Sequence, residues 1–380
     1  MQFRFLIPFL FTPLLGAQQP APNPEDRDMS HMQQDQSHDG FMQGGMHHAI
    51  ARGVTLDAKS DSSVHVITLR VGPLSLPANT SHMKMPQPPD LVWTLPVSGW
   101  LLAYHPKLVD ASDKPVPGTV LHHVAFWNEN RSDFLCPNKD EHIFGAGGEL
   151  TDWAQVPGFG YRVEKGDRIR VETMVHNPTA IAYDQVFLEV AIPYADDSSP
   201  DKTSVAPVRN VYPAWMDVGS CGNSSYELQP GSSKKTGDVR IKFSGVLLGV
   251  GGHMHDYGEQ LTLEVLGVEK SEAKNAMSDG SRTDLSLLKK PVATLLAKTD
   301  DQGRLLGIPV VTFFQTGGFP LASGETLLIT STYNNPTGKL LHNGAMGIVV
   351  GYFVPTDPAS LNSLRHPASK PPIQHHMSHD

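Results

Sequence analysis

Imidazole and thioether side chains recur at separated points of the chain, in short segments that can each supply metal ligands. The candidate ligands are His122, His123, His176, His253, His255 and Met346. Three fall in each half of the chain, which indicates two separate three-ligand sites. Imidazole suits zinc, copper, iron and nickel, whereas a thioether is a soft ligand that favours Cu(I). The set therefore predicts two copper ions per chain, and copper cycles between oxidation states in O₂ and electron-transfer chemistry.

The HxH spacing of His253 and His255 directs both imidazoles to one side of a β-strand, because alternate side chains of a strand share a face. Gly251, Gly252 and Gly258 flank the pair and permit a bulge or a close backbone approach. The alternative is a pair of histidines that serve only in the core.

The other candidate ligands are less specific when taken singly. His122 and His123 are adjacent, so they can bind one metal only if their strand is bulged or begins at the pair. In the segment RIRVETMVH, His176 lies on the face opposite Ile169, and an ordinary surface histidine is the alternative. A lone methionine such as Met346 usually fills a core.

The remaining histidines of the central region show no matching spacing, and we expect packing or surface roles for them. They are His65, His82, His105 and His142. His342 lies four residues before Met346 but is not included in the predicted sites.

The elements that must position these ligands are strands. From about residue 60, short segments rich in Val, Ile, Leu and Thr are bounded by Gly, Pro, Asn and Asp. Helical periodicity is weak throughout, so the sequence predicts an all-β protein with two packed-sheet domains. The polar segment 195–207 has the composition of a linker between them, and residues 268–290 have that of an inserted hairpin.

The two ends of the chain differ from this central region. Arg4 precedes an apolar run at residues 5–15 that is too short to span a bilayer and is typical of a signal peptide. The flanking segments are rich in Met and His and cannot bury a core. The predicted order is a signal peptide at 1–17, a disordered Met/His-rich segment at 18–54, an N-terminal copper domain at 55–198, a C-terminal catalytic copper domain at 199–357 and a disordered His-rich tail at 358–380.

Composition narrows the class of protein and its partners. The 380 residues carry a net charge of −9, with no long basic run, which argues against nucleic acid and anionic membranes as main partners. The signal peptide predicts export to a periplasm or to the outside, with no membrane span. An oxidising compartment would permit a disulfide between Cys136 and Cys221, and two isolated thiols are the alternative.

The order HH, then a single His, then HxH, then Met on a strand resembles the copper type II, ascorbate-dependent monooxygenases. This family includes peptidylglycine α-hydroxylating monooxygenase and dopamine β-monooxygenase. The resemblance runs through LHHVAFWN, VPGFGYRVEKGDRIRVETMVHN, the approach to GGHMHDYG, and NGAMGIVVGYF, and covers residues 90–357. It implies two antiparallel, jelly-roll-like β-sandwich domains that face a cleft.

Carried over by position, the resemblance implies an electron-transfer copper in the first domain and an O₂-binding copper in the second. The first would be held by His122, His123 and His176, and the second by His253, His255 and Met346. It also implies that ascorbate or another one-electron donor reduces both coppers and that O₂ hydroxylates a C–H bond of a small organic substrate.

The sequence departs from the peptide hydroxylase at two positions that anchor a substrate carboxylate there. Gly251 stands in place of an arginine, and Val350 stands in place of a tyrosine. We therefore expect copper chemistry without amidation of glycine-extended peptides. The Met/His-rich ends favour an alternative function, in which the protein binds or handles copper and has no organic substrate.

Overall fold

Side chains alternate between buried and accessible positions along most of the chain, which is the pattern of strands that cover a core. The computed structural model describes residues 49–150, 152–197, 208–267 and 289–367. In strand β2 (Val66–Leu76), for example, Ile67, Leu69 and Val71 are buried while the residues between them are partly accessible. A strand with one face against a core requires this period of two.

Strands account for most of the described residues. Those of the first half are β1 (Thr55–Asp61), β2, β3 (Leu91–Thr94), β4 (Gly99–Leu101), β5 (His105–Val109), β6 (Leu121–Ser132), β7 (Asp140–Gly147), β8 (Phe159–Val163), β9 (Arg168–Val175) and β10 (Tyr183–Asp196). Those of the second half are β11 (Arg209–Asp217), β12 (Ser225–Leu228), β13 (Gly231–Arg240), β14 (Gly245–His253), β15 (Gly258–Leu266), β16 (Lys289–Leu296), β17 (Lys298–Thr299), β18 (Leu305–Gly307), β19 (Val311–Thr312), β20 (Phe319–Leu321), β21 (Thr326–Asn335), β22 (Leu341–Met346) and β23 (Ile348–Pro355).

Helical structure is limited to short 3-10 segments. Within the described ranges these are His82–Lys84, Gly118–Val120, Phe314–Thr316 and Pro358–Leu364. None of the helices in this part of the chain is long and apolar enough to cross a bilayer.

One eleven-stranded sheet runs through both halves of the described chain. Its main path is β1-β2-β10-β4-β8-β11-β23-β14-β19, with β5 beside β10 and β20 beside β14. The path passes from the first half to the second where β8 and β11 pair in parallel, with Phe159 opposite Arg209 and Tyr161 opposite Val211. The neighbouring pairs β4–β8 and β11–β23 are antiparallel.

Two four-stranded sheets and two hydrophobic cores accompany this large sheet. The order β3-β9-β6-β7 belongs to the first half and β13-β21-β15-β16 to the second. One core contains Phe126, Phe144 and Tyr161, and the other contains Phe353 and Tyr333. Each half therefore has its own buried interior, although one sheet is common to both.

The all-β prediction is confirmed. Two jelly-roll-like domains facing a cleft stay a prediction, because the large sheet continues from one half into the other. The domain boundaries also stay predictions. Residues 1–48, most of the linker segment, most of the inserted hairpin and the tail beyond residue 367 lie outside the described residues.

A loop of the first half contributes to the core of the second. Phe134, Leu135 and Cys136 follow β6 and are buried in the second core. The ring of Phe134 stacks on Phe353, with 5.0 Å between ring centroids. Cys136 forms a disulfide with Cys221, which the sequence left open, and their Cα atoms are 5.6 Å apart. The bridge therefore ties the end of β6 to the loop after β11.

The Cys136–Cys221 disulfide joins residues 85 positions apart. We expect the double variant Cys136→Ser/Cys221→Ser to lose about 4 kcal/mol of unfolding free energy, because the bridge restricts the unfolded chain. Urea unfolding under oxidising conditions measures the loss. The unaltered protein in the presence of a thiol reductant is the control and should lose a similar amount of unfolding free energy. Coincident unfolding midpoints for the oxidised protein and the double variant would contradict the stabilising role.

Candidate metal centre

His122 and His123 lie at the start of β6, where the strand is also bulged. Leu121 pairs with Val175 while His123 pairs with Met174, so His122 is an extra residue against β9. A bulge of this kind re-aims the side chains beside it. The Nδ1 atoms of His122 and His123 are 3.0 Å apart. The adjacent pair thus satisfies the condition under which both imidazoles can approach one ion.

His122 is the centre of a group of imidazole rings. Its centroid lies 5.3 Å from that of His176 and 5.1 Å from that of His255. The ring of His82, from the 3-10 segment His82–Lys84, lies 4.6 Å away. His176 is held in place by its backbone N–H, which donates to the carbonyl of Val120 at 3.1 Å. These contacts join residues of both halves around one side chain.

His253 is the last residue of β14, and His255 lies two residues beyond the end of the strand. Met254, between them, is buried in the second core, so both imidazoles lie on the other side of the chain. Their ring centroids are 5.7 Å apart. The HxH spacing thus keeps the two rings together, as the alternation of a strand requires.

Met346 lies beside this pair through a shared tyrosine. The backbone N–H groups of His255 and Met346 both donate to the hydroxyl oxygen of Tyr333, at 2.9 and 3.0 Å. The same hydroxyl donates to the carbonyl of Met346. Met346 is fully buried, and two residues later Ile348 pairs with His253. The backbone register therefore aligns Met346 with the HxH segment.

The two predicted ligand sets are in contact, since the rings of His122 and His255 adjoin. Within the described ranges, no three histidine, cysteine, aspartate or glutamate side chains are arranged to hold a metal ion as they stand. Two copper ions per chain and their division between the sets stay predictions.

Burial lowers the pKa of three histidines of the cluster. Burial and the neighbouring imidazole of His255 lower the pKa of His122 well below its ordinary value. Burial and His253 have the same effect on the pKa of His255, and burial lowers the pKa of His176. These three imidazoles are therefore neutral at pH 7, which is the form that binds metals.

Two carboxylates orient one histidine of each predicted set. Oε1 of Glu149 lies 3.6 Å from Nδ1 of His253, and Oε1 of Glu172 lies 3.6 Å from Nε2 of His123. Burial alone would raise the pKa of Glu149, but contacts with His253 and with the backbone N–H of Gly147 hold it below its ordinary value. A carboxylate behind a ligating imidazole fixes the ring and its tautomer.

The donor atoms fit copper. With Nδ1 of His253 directed at Glu149, its Nε2 is buried and has no hydrogen-bond partner among the described residues. Nε2 of His255 is likewise buried and has no hydrogen-bond partner among the described residues. A buried nitrogen without a hydrogen-bond partner is unusual in a native protein, so both Nε2 atoms are open to a ligand. Imidazole nitrogens beside a methionine segment are donors that copper accepts.

Five other histidines occupy surface, cluster or buried positions outside the cluster. His342 is exposed, and its Nδ1 lies 2.8 Å from Glu227. His65 and His105 pair with accessible carboxylates. His82 joins the imidazole cluster, whereas His142 is buried and its ring centroid lies 3.6 Å from that of Trp215. Sequence spacing missed His82 because a long-range contact brings it to His122.

Known proteins offer a partial likeness. No model of a protein family matches the chain. Over 151 residues the chain is 26% identical to a protein of Phoma sp. described as "Probable copper-dependent oxygenase M1". The matched part is 37% of this chain, and the chain spans 36% of that protein's length. The chain is thus similar in part to a protein assigned to copper-dependent oxygenation.

Solved structures give only weak likenesses. The STIV MCP aligns with 76% of this chain and 95% of its own, at a TM-score of 0.34 and 9% identity. The major capsid protein P2 from Bacteriophage PM2 aligns with 69% and 96%, at a TM-score of 0.25 and 10% identity. Scores of this size do not establish a common fold.

The contact between Glu149 and His253 leads to a test of metal affinity. We expect Glu149→Gln to lower copper affinity about 10- to 100-fold, because the neutral amide orients the imidazole less strongly. Competition with a copper chelator measures the change. Glu227→Gln is the matched control, since Glu227 contacts the exposed His342. Equal affinities for the two variants would show that Glu149 does not act on a ligand.

Proposed function

We propose that the protein is an exported, copper-dependent oxygenase that hydroxylates a C–H bond of a small organic substrate. O₂ is the oxidant, and ascorbate or another one-electron donor is the reductant. The observation that carries the proposal is the cluster of neutral imidazoles from both halves, with two buried Nε2 atoms that lack hydrogen-bond partners among the described residues. The partial similarity to a probable copper-dependent oxygenase supports it.

In this proposal the six predicted ligands hold two ions. His122, His123 and His176 would hold one copper, and His253, His255 and Met346 the other. When bound, copper supplies the one-electron redox chemistry that reaction with O₂ needs. The thioether of Met346 favours the reduced ion at the second site.

The surrounding residues contribute orientation rather than chemistry. Glu149 and Glu172 fix His253 and His123 from behind, and Tyr333 fixes the backbone of His255 and Met346. The surroundings of His122 and His255 lower the pKa of both imidazoles and so keep them neutral. Ligands held in this way lose little freedom when a metal binds.

Export is supported by the disulfide, which persists in oxidising compartments, and by the signal-peptide composition of residues 1–17. The Met/His-rich composition of 18–54 and 358–380 favours a second function, in which the protein binds or delivers copper without oxidising a substrate. The two functions differ in whether reduced, copper-loaded protein consumes O₂.

Copper-loaded full-length protein should contain at least two copper ions per chain and consume O₂ when ascorbate is added. Elemental analysis measures the copper content and an oxygen electrode the consumption. Zinc-loaded protein and His255→Ala are controls and should show only background rates. Full copper loading without O₂ consumption would favour copper handling, and a preference for stoichiometric zinc would exclude both functions. Efficient hydroxylation of glycine-extended peptides would contradict the substrate argument from Gly251 and Val350.

Met346→Ile tests whether the thioether is a ligand. Isoleucine is similar in volume, so we expect the unfolding free energy to fall by no more than about 1.5 kcal/mol. The loss of sulfur should nevertheless weaken Cu(I) binding at the second site and abolish ascorbate-dependent O₂ consumption. Met174→Ile is the matched control, because Met174 is also buried but is not a proposed ligand. Unchanged Cu(I) affinity in Met346→Ile would assign this methionine to packing alone.

A further inference from the structure

A cavity of about 240 Å³ adjoins the histidine cluster and is lined by residues of both halves. His123 and His253, one from each predicted ligand set, form part of its wall. The larger part is apolar and aromatic, and its rings are Trp153, Trp215, Phe314 and Tyr352. A molecule bound here would lie directly beside the proposed copper ligands.

Three neighbouring strands of the large sheet form one wall of the cavity. Trp215 of β11 pairs with Val350 of β23, and Val350 pairs with Gly251 of β14. Directly paired residues project to the same face of a sheet, so these three form a row. Gly251 leaves that row open, because a Cβ atom there would meet only Val310, at 3.5 Å.

The aromatic part of the wall is held rigidly. The indole N–H of Trp153 donates to the carbonyl of Gly145 at 3.0 Å. Its ring meets Tyr352 edge to face, with 5.6 Å between centroids. Trp153 belongs to the first half and Tyr352 to the second, so the contact fixes the cavity where the halves meet. A preformed aromatic wall favours flat, apolar ligands.

The charged residues of the cavity wall disfavour anionic ligands. Glu149 and Asp152 are acidic, and the described residues that line the cavity include no lysine or arginine. Glu149 lies against His253 and Asp152 against His105, so each carboxylate already has a partner. A bound carboxylate would find no lysine or arginine among these residues to donate a charge-assisted hydrogen bond, which disfavours an anion there.

We propose that this cavity binds a neutral, largely apolar molecule with an aromatic ring, as the organic substrate of the oxygenase. That the bound molecule is a substrate rests on the proposed function, whereas its binding to the cavity does not. Roughly 150 Å³ of apolar cavity accommodates benzene, so the cavity has room for two fused rings. Gly251 determines this specificity, because its lack of a side chain leaves space beside Val350 and places no charge there.

Three probes that share one ring system test the class of ligand. They are 2-naphthalenemethanol, 2-naphthoate and 2-naphthylmethylammonium, which are neutral, anionic and cationic. Isothermal titration calorimetry on the full chain, with a metal chelator present and again after copper loading, measures each dissociation constant. The neutral probe should bind at least tenfold more tightly than either ion. Tighter binding of the anion or the cation would overturn the proposal.

Two substitutions at Gly251 locate the binding site. Gly251→Leu should weaken binding of the neutral probe at least tenfold, because the leucine side chain fills the cavity. Gly251→Arg should also weaken binding of the neutral probe but should strengthen binding of 2-naphthoate. The two substitutions together therefore distinguish an effect of side-chain volume from an effect of charge. Val310→Trp is a second way to narrow the cavity at a half-exposed position that does not threaten the core. Circular dichroism and thermal melting verify that each variant is folded.

The outcomes distinguish this proposal from the oxygenase. If folded Gly251→Leu and Val310→Trp bind the neutral probe like the unaltered protein, the cavity is not the site. If the probe binds without metal but the copper-loaded protein consumes no O₂, the binding assignment stands and the oxygenase fails. If O₂ is consumed but no probe binds in either metal state, the cavity assignment fails and the oxygenase remains.

Discussion

The parallel pairing of β8 with β11 is the constraint on which the arrangement of the histidines depends. It joins strands of the first half and strands of the second half in one hydrogen-bonded sheet. β23 and β14 follow directly in that sheet, and β14 ends at His253. Strands in one sheet keep a fixed spacing and direction. The second ligand set is therefore held at a set position relative to the first-half strands of this sheet, and the sheet that contains β6 and β9 shares a hydrophobic core with those strands.

Several contacts across the halves reinforce this pairing. The Cys136–Cys221 disulfide and the stacking of Phe134 on Phe353 anchor the end of β6 in the second core. Glu149 reaches from the first half to His253 in the second. The second predicted ligand set thus depends on a residue of the first half for its orientation. A site of this kind cannot be treated as two independent domains that each carry a metal.

The alternation and spacing of residues predicted the features that depend only on residues close in sequence. Alternation predicted the strands, and the need to bury Met254 explains why His253 and His255 lie together. The adjacent His122 and His123 required a bulge or a strand start, and the structure has both. Long-range features were not predictable. The parallel joint, the position of His82 and the contact of Glu149 with His253 arise from residues that are distant in sequence and have no diagnostic spacing.

The shared sheet also limits how the molecule can be divided. A fragment that ended before β11 would leave β8 as an edge strand with unpaired N–H and C=O groups. It would also carry Phe134, Leu135 and Cys136 without the core that buries them. Such a fragment would present an open strand and an apolar loop to other chains, which are the conditions for aggregation. The two halves thus share strand pairing and buried surface, even though each surrounds a hydrophobic interior of its own.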